Sequence, residues 1–145
     1  MAVIRDVMHS DVIGIRPDAT VAEAIKLLTD RHIGGLPVVA SGGAIVGMIS
    51  ELALIDVVFN ASVKDAPVAD YMTPDVHTVH PNDPLSRAAQ LFTLYSFRRL
   101  PVVENGKLVG IVSRRDLMNY ALQTNKLLAD PLTEMIPSLV PTTLS

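Results

Sequence analysis

A chain of 145 residues suits one compact domain, or two half-sized lobes sharing a core. Hydrophobic residues make up 49% and aromatics 4%, with no Trp, so the core must be aliphatic; the absence of Cys excludes disulfides and thiolate chemistry. A net charge of −3 and a pI near 5.7 argue against a general nucleic-acid or anionic-membrane surface. No apolar run approaches the roughly 18 residues that span a bilayer. The N-terminus lacks the pattern of a signal peptide, so a cytoplasmic protein is expected.

Taken in order, the chain states one pattern twice. Asp6-Val7-Met8-His9-Ser10-Asp11-Val12 returns as Asp70-Tyr71-Met72-Thr73-Pro74-Asp75-Val76. A short strand is expected just after each, over 12–15 and 76–79. Thr20-Val21-Ala22-Glu23 then has the form of a capping box, and Val21, Ala24, Ile25 and Leu28 form one apolar stripe of a helix. In the second copy Asp83 is expected to cap, with Pro84 in the first helical position. Leu85, Ala88, Ala89 and Phe92 repeat the stripe.

Leu36-Pro37-Val38-Val39 and Leu100-Pro101-Val102-Val103 follow. They are short β-branched runs without alternation, as in a strand covered on both faces. Ser41-Gly42-Gly43 and Asn105-Gly106 are hairpin turn signals. Returning strands are expected over 44–49 and 107–112, each running into a helix over 51–59 and 114–122. The offset between copies is 64 residues at Met8/Met72 and Pro37/Pro101 and 63 at Gly47/Gly110, so one residue was gained or lost in the turn.

Each unit thus reads β-α-β-β-α, an α/β (α+β) repeat whose small sheet cannot be covered by one copy alone. Two pseudo-symmetric repeats packed sheet to sheet are expected. The first spans residues 1–60 and the second 70–125, with a linker at 61–69 and a Pro-containing tail at 126–145. The helix surface of Leu54, Ile55, Val58, Leu117, Met118 and Ala121 reads either as internal core or as a homodimer face.

The paired units, the Leu-Pro-Val-Val strands and Gly110-Ile111-Val112-Ser113-Arg114-Arg115-Asp116 resemble a tandem pair of CBS domains (cystathionine β-synthase domains, together a Bateman module), over roughly residues 2–123. The resemblance implies two clefts between the repeats that take an adenosine-containing ligand: AMP, ADP, ATP, S-adenosylmethionine or NAD. It implies a regulatory module that performs no chemistry and needs no cofactor beyond that ligand.

Ser113 lies where a strand passes into a helix, where free N–H groups and the helix dipole favour an anion. Asp116, one turn on, offers two acceptor oxygens to a ribose diol. The same Ser-x-x-Asp also reads as a capping box that needs no ligand. By the resemblance Asp116 holds the ribose, and Ser113 and Arg99 lie near the phosphate. Arg98, Arg115 and His80 are further phosphate candidates. The adenine is expected among Asp75, Val76, His77, Phe97, Leu100 and Pro101.

In the first copy Ser50 is retained, but Ala53 replaces Asp116, and Gly34-Gly35 replace Arg98-Arg99. A methyl group cannot bind a diol. The cleft of Ile13, Gly34, Gly35, Leu36, Pro37 and Ser50 is therefore expected to be the weaker one.

His9, His32, His77 and His80 form no metal-ligand pattern, and no nucleophile elbow, Walker loop or dinucleotide fingerprint occurs. Neither a metal nor an enzyme is expected. The leading expectation is a regulatory sensor whose adenosine ligand alters lobe or dimer geometry. The alternatives are a ligand-free dimerisation scaffold, or a regulatory subunit of a separate nucleotide-pathway enzyme or transporter.

Overall fold

Thr20 opens the first helix as a reciprocal cap. Its hydroxyl accepts from Glu23 N–H at 3.1 Å, and the Glu23 carboxylate accepts from Thr20 N–H at 3.0 Å. In the computed structural model, which describes residues 2–124, this helix is α1, Val21–Arg31, with Val21, Ala24 and Leu28 buried. His32, at φ 54°, ends it in the left-handed region and returns its N–H to the last turn.

The second repeat begins its helix differently. Pro84 stands at the cap position of α3, Leu85–Leu94, and no side chain caps it. Asp83 instead accepts from His80 N–H at 2.8 Å, closing the preceding turn. The extended Pro84 places Asp83 one residue too early to reach the helix. Ala89 is exposed, and Leu91 joins Ala88 in the core, so the buried stripe lies one step round from the expected one.

Strands β1 (Gly35–Val39) and β2 (Ile45–Ser50) form one antiparallel hairpin, β3 (Arg99–Glu104) and β4 (Lys107–Ser113) the other. Leu36 faces Ile49 across the first ladder, and Leu100 faces Val112 across the second; each ladder shifts register in its second half, after Val38 and after Val102. Leu36, Pro37, Val38, Leu100, Pro101 and Val102 are all buried, as unalternating strands should be. Asn105 and Gly106 both have positive φ, which is what a tight hairpin turn requires.

Each β4-type strand runs directly into a helix, α2 (Glu51–Ile55) after β2 and α4 (Arg114–Gln123) after β4. α2 is shorter than the expected 51–59; beyond it Val57 N–H bonds back to Leu54 in a tighter turn. The β-branched Val57-Val58 pair disfavours continuation. The expected strands at 12–15 and 76–79 reduce to single parallel bridges, Ile15 with Val38 and Val79 with Val102. Pro17 and Pro81 follow two residues later and cannot donate to a ladder.

The two repeats exchange their leading segments. Ile4 N–H bonds to Asp83 O and Arg5 N–H to Pro81 O; at the equivalent places Val68 N–H bonds to Ala19 O and Ala69 N–H to Pro17 O. Ile4 is fully buried in the core of the second repeat, with Leu91, Leu100, Val102 and Val112. Val63 and Val68 are buried in the core of the first, with Leu28, Leu36 and Leu54. Residues 61–69 are therefore no free spacer. Burying a side chain of this size contributes about 1.5–3 kcal/mol, so the exchange is a substantial part of what joins the lobes.

Two glycines make room for it. A Cβ at Gly110 would lie 2.7 Å from Met8 Sδ and 3.1 Å from the His9 carbonyl. One at Gly47 would lie 2.6 Å from Met72 Sδ and 2.9 Å from the Thr73 carbonyl. The leading segments then lie flat on β4 and β2. His9 and Ile111 exchange both backbone hydrogen bonds at 2.9 Å, and Thr73 and Met48 do so at 2.8 and 2.9 Å. Among the described residues no helix is long and apolar enough to cross a membrane.

Candidate functional site

The N-terminus of α4 gathers the chemistry expected of it. Ser113, the last residue of β4, accepts from Asp116 N–H at 3.1 Å through Oγ. Asp116 Oδ2 accepts from Ser113 N–H at 2.8 Å. The capping box therefore exists, and it engages one oxygen of the carboxylate. The other oxygen, Oδ1, lies 2.9 Å from His9 Nε2. A carboxylate only accepts, so Nε2 carries the hydrogen of this bond. The Asp116 side chain is 11% exposed, whereas that of His9 is 70% exposed.

Arginines surround this point. Arg99 pairs directly with Ser113 across the β3–β4 ladder. The carbonyl of Arg98 accepts from Arg114 N–H at 3.2 Å, and the Arg114 guanidinium is held on the Phe97 carbonyl. Arg114 is thereby committed to fixing the helix start. Among the described residues no ion pair engages Arg98, Arg99 or Arg115. These charges add to the positive end of a ten-residue helix, a setting that favours an anion.

The first repeat has the same backbone with different side chains. Ser50 Oγ accepts from Ala53 N–H at 3.2 Å, so the cap survives without the carboxylate. The Gly34 carbonyl accepts from Glu51 N–H at 2.9 Å, as Arg98 does from Arg114. A Cβ at Gly34 would come within 3.3 Å of the Glu51 carboxylate. That end of the molecule thus carries an acid where the second repeat carries arginines, which disfavours a phosphate there.

Several expected site residues lie elsewhere. His80 sits at the hairpin end of β3: its Nε2 is 3.8 Å from Glu104, and its Nδ1 accepts from Asn82 N–H. Arg99 and Glu104 stand at the two ends of the six-residue β3, five steps or about 17 Å apart at ~3.3 Å per residue, so His80 does not join Ser113. Leu100 and Pro101, like Leu36 and Pro37, are buried in the core. Packing against the core of its own repeat, Ile13 is half-buried.

Asp75, Val76 and His77 are drawn to the first repeat, because Thr73 is anchored on Met48. With Pro74 and Ile45 they line an open depression of about 400 Å³. His77 stacks on Tyr95 at 4.4 Å between ring centroids and meets Phe97 at 5.4 Å. His77 thereby lies beside Phe97, whose carbonyl holds the Arg114 guanidinium at the start of α4. The leading segment that reaches Asp116 is that of the first repeat, through His9. A second depression, of about 460 Å³, lies between that segment (Ser10, Val12, Gly14), the turn at Ser41–Gly43, and Leu108 and Val109 of β4.

Sequence reasoning missed His9 and Tyr95. The signal for His9 was present, since Met8-His9 stands against Met72-Thr73 in the aligned copies. The exchange of segments that gives this difference meaning is not visible in the sequence.

Comparison with known proteins agrees with this architecture. The CBS domain family model matches twice, over residues 4–60 and 68–123. The CBS domain-containing protein YhcV of Bacillus subtilis is 31% identical over 121 residues, covering 81% of this chain and 84% of that protein. The crystal structure of CBSX2 in complex with AMP superposes with a TM-score of 0.79 at 31% identity, covering 86% of this chain and 99% of that one; a further structure of CBSX2 is from Arabidopsis thaliana. A CBS domain pair in complex with 5′-methylthioadenosine and S-adenosyl-L-methionine superposes with a TM-score of 0.73 at 25% identity, covering 87% and 98%. Other relatives are longer: the chain spans 41% of an uncharacterised protein of Methanocaldococcus jannaschii and 14% of the A-adding tRNA nucleotidyltransferase of Aquifex aeolicus. With both repeats matched by the family model, both hairpins in register and the cap at each strand-to-helix junction in place, the chain belongs to the CBS domain family, as a tandem pair.

Proposed function

We propose that this pair is a regulatory module that binds an adenosine-containing ligand at the N-terminus of α4. Asp116 takes the ribose diol. Ser113, Arg115 and one of the neighbouring pair Arg98 and Arg99, whose side chains take opposite faces, take the phosphate or other anionic group. The observation that carries this reading is a mostly buried carboxylate at a helix N-terminus, with three arginines on the adjoining segments that no acid among the described residues engages. CBS pairs of the same fold crystallised with AMP, and with 5′-methylthioadenosine and S-adenosyl-L-methionine, support the ligand class.

One such site per chain is expected, because the first repeat lacks the carboxylate and presents Glu51. The base lies between residues 75–77 and the start of β3, where His77 meets Phe97. The module performs no chemistry of its own; ligand binding biases the geometry of the two lobes, and only through a difference in affinity between the arrangements. A second copy of the chain covers the exposed apolar side chains of α2 and α4, and a separate target reads the change.

A thermal-shift panel of AMP, ADP, ATP, S-adenosylmethionine and NAD against wild type and Asp116→Ala tests the reading. A ligand at 100 times its Kd stabilises the fold by about 2.7 kcal/mol. Loss of a hydrogen-bonding carboxylate costs about 1.5–3 kcal/mol, or roughly tenfold to a hundredfold in affinity. Wild type that melts unchanged with every member of the panel would overturn the proposal.

A further inference from the structure

We propose that His9 gates the ribose carboxylate: its imidazole holds Oδ1 of Asp116, and a ribose gains that oxygen only by displacing the ring. This rests on the adenosine reading of the site.

Both oxygens of Asp116 are engaged in the structure. Oδ2 accepts from Ser113 N–H in the helix cap, which any ordered α4 retains. Oδ1 meets His9 Nε2 at 2.9 Å. Only 11% of the Asp116 side chain is exposed, and the ring that holds its Oδ1 is itself 70% exposed. Oδ2 is held in the helix cap, so a diol meets the carboxylate chiefly at Oδ1, where the His9 ring already stands.

The His9 side chain is free to yield. It is 70% exposed, while its backbone is pinned by two hydrogen bonds to Ile111. Opening therefore requires a rotamer change and no movement of the chain. Exposed rotamers change in picoseconds to nanoseconds, so the gate acts on affinity and leaves the binding rate little altered.

The arrangement is confined to one side of the pseudo-twofold molecule. Thr73 occupies the backbone position of His9 on β2, with the same pair of hydrogen bonds, and the residue at the position of Asp116 there is Ala53. Imidazole and carboxylate occur together and are absent together. Because His9 belongs to the first repeat and Asp116 to the second, ribose binding removes a side-chain tie between the lobes. That is a route by which occupancy reaches the leading segment.

Isothermal titration of the full chain with AMP, and separately with S-adenosylmethionine, tests the gate on wild type, His9→Ala, His9→Arg and Asp116→Ala. Removing the competitor in His9→Ala should tighten binding by about threefold to tenfold, the scale of one hydrogen bond. A permanently charged, forked donor in His9→Arg should hold the carboxylate more firmly and weaken binding by a similar factor. His9→Asn provides a second opening variant should alanine disturb the segment, and thermal unfolding verifies that each variant is folded. Binding to His9→Ala or His9→Asn that equals or falls below that of wild type overturns the gate while leaving the adenosine site standing, as does tighter binding to His9→Arg. No binding to wild type, His9→Ala or His9→Asn overturns both.

Discussion

Asp116 and Ala53 hold the same place in two copies of one backbone, and that difference is what assigns the proposed ribose site to the second repeat. Both strand-to-helix junctions are capped by a serine at nearly the same distance, so the cap does not need the carboxylate. Restoring it with Ala53→Asp should therefore fold normally and raise the stoichiometry of nucleotide binding above one per chain, as read by isothermal titration. Unchanged stoichiometry would show that Glu51, or the lack of arginines at Gly34-Gly35, also excludes the ligand. Thr20 gives a purely structural counterpart. Thr20→Ala removes the cap of α1 and should cost about 1 kcal/mol, measured by urea unfolding. Asp83→Ala should leave α3 in place, since Asp83 caps a turn and not the helix.

At the scale of elements, the hairpins and helices were legible because their signals are local. Unalternating Leu-Pro-Val-Val, the Asn105-Gly106 turn and the Thr20–Glu23 box each act within a few residues, and each forms as expected. The departures arise where a neighbour intervenes. The β-branched pair at Val57-Val58 shortens α2, and Pro17 and Pro81 reduce two strands to single bridges. The glycine at the centre of each returning strand has its reason outside its own repeat. Gly110→Ala would drive a methyl group into Met8 and His9. It should destabilise the chain by about 1–3 kcal/mol in urea unfolding and weaken nucleotide binding, because it displaces the segment beside Asp116. The equivalent Gly47→Ala should cost similar stability with a smaller effect on that site.

For the whole molecule, the surface left open is as telling as the core. Leu52, Ile55 and Phe59 on and just after α2 are 61–98% exposed, and Met118 and Leu122 on α4 are 61% and 49% exposed. Leu54, one of the residues expected on that face, is instead core at 2%. An apolar face of this kind fits the second copy of the chain proposed above. Ile55→Asp combined with Met118→Asp should shift the protein to monomer in sedimentation velocity while preserving its helical signal; if the wild type is itself monomeric, that assignment fails. The sequence by itself determined the duplication, the element order, the caps and the asymmetry between Asp116 and Ala53, because each is written in residue type and spacing. Only the tertiary structure decided which leading segment serves which helix. It placed His9 of one repeat on Asp116 of the other and anchored Thr73 on Met48. Those pairings depend on which copy's backbone lies across each glycine, and two copies of one pattern specify each partner equally well until the connection between them is folded into a core.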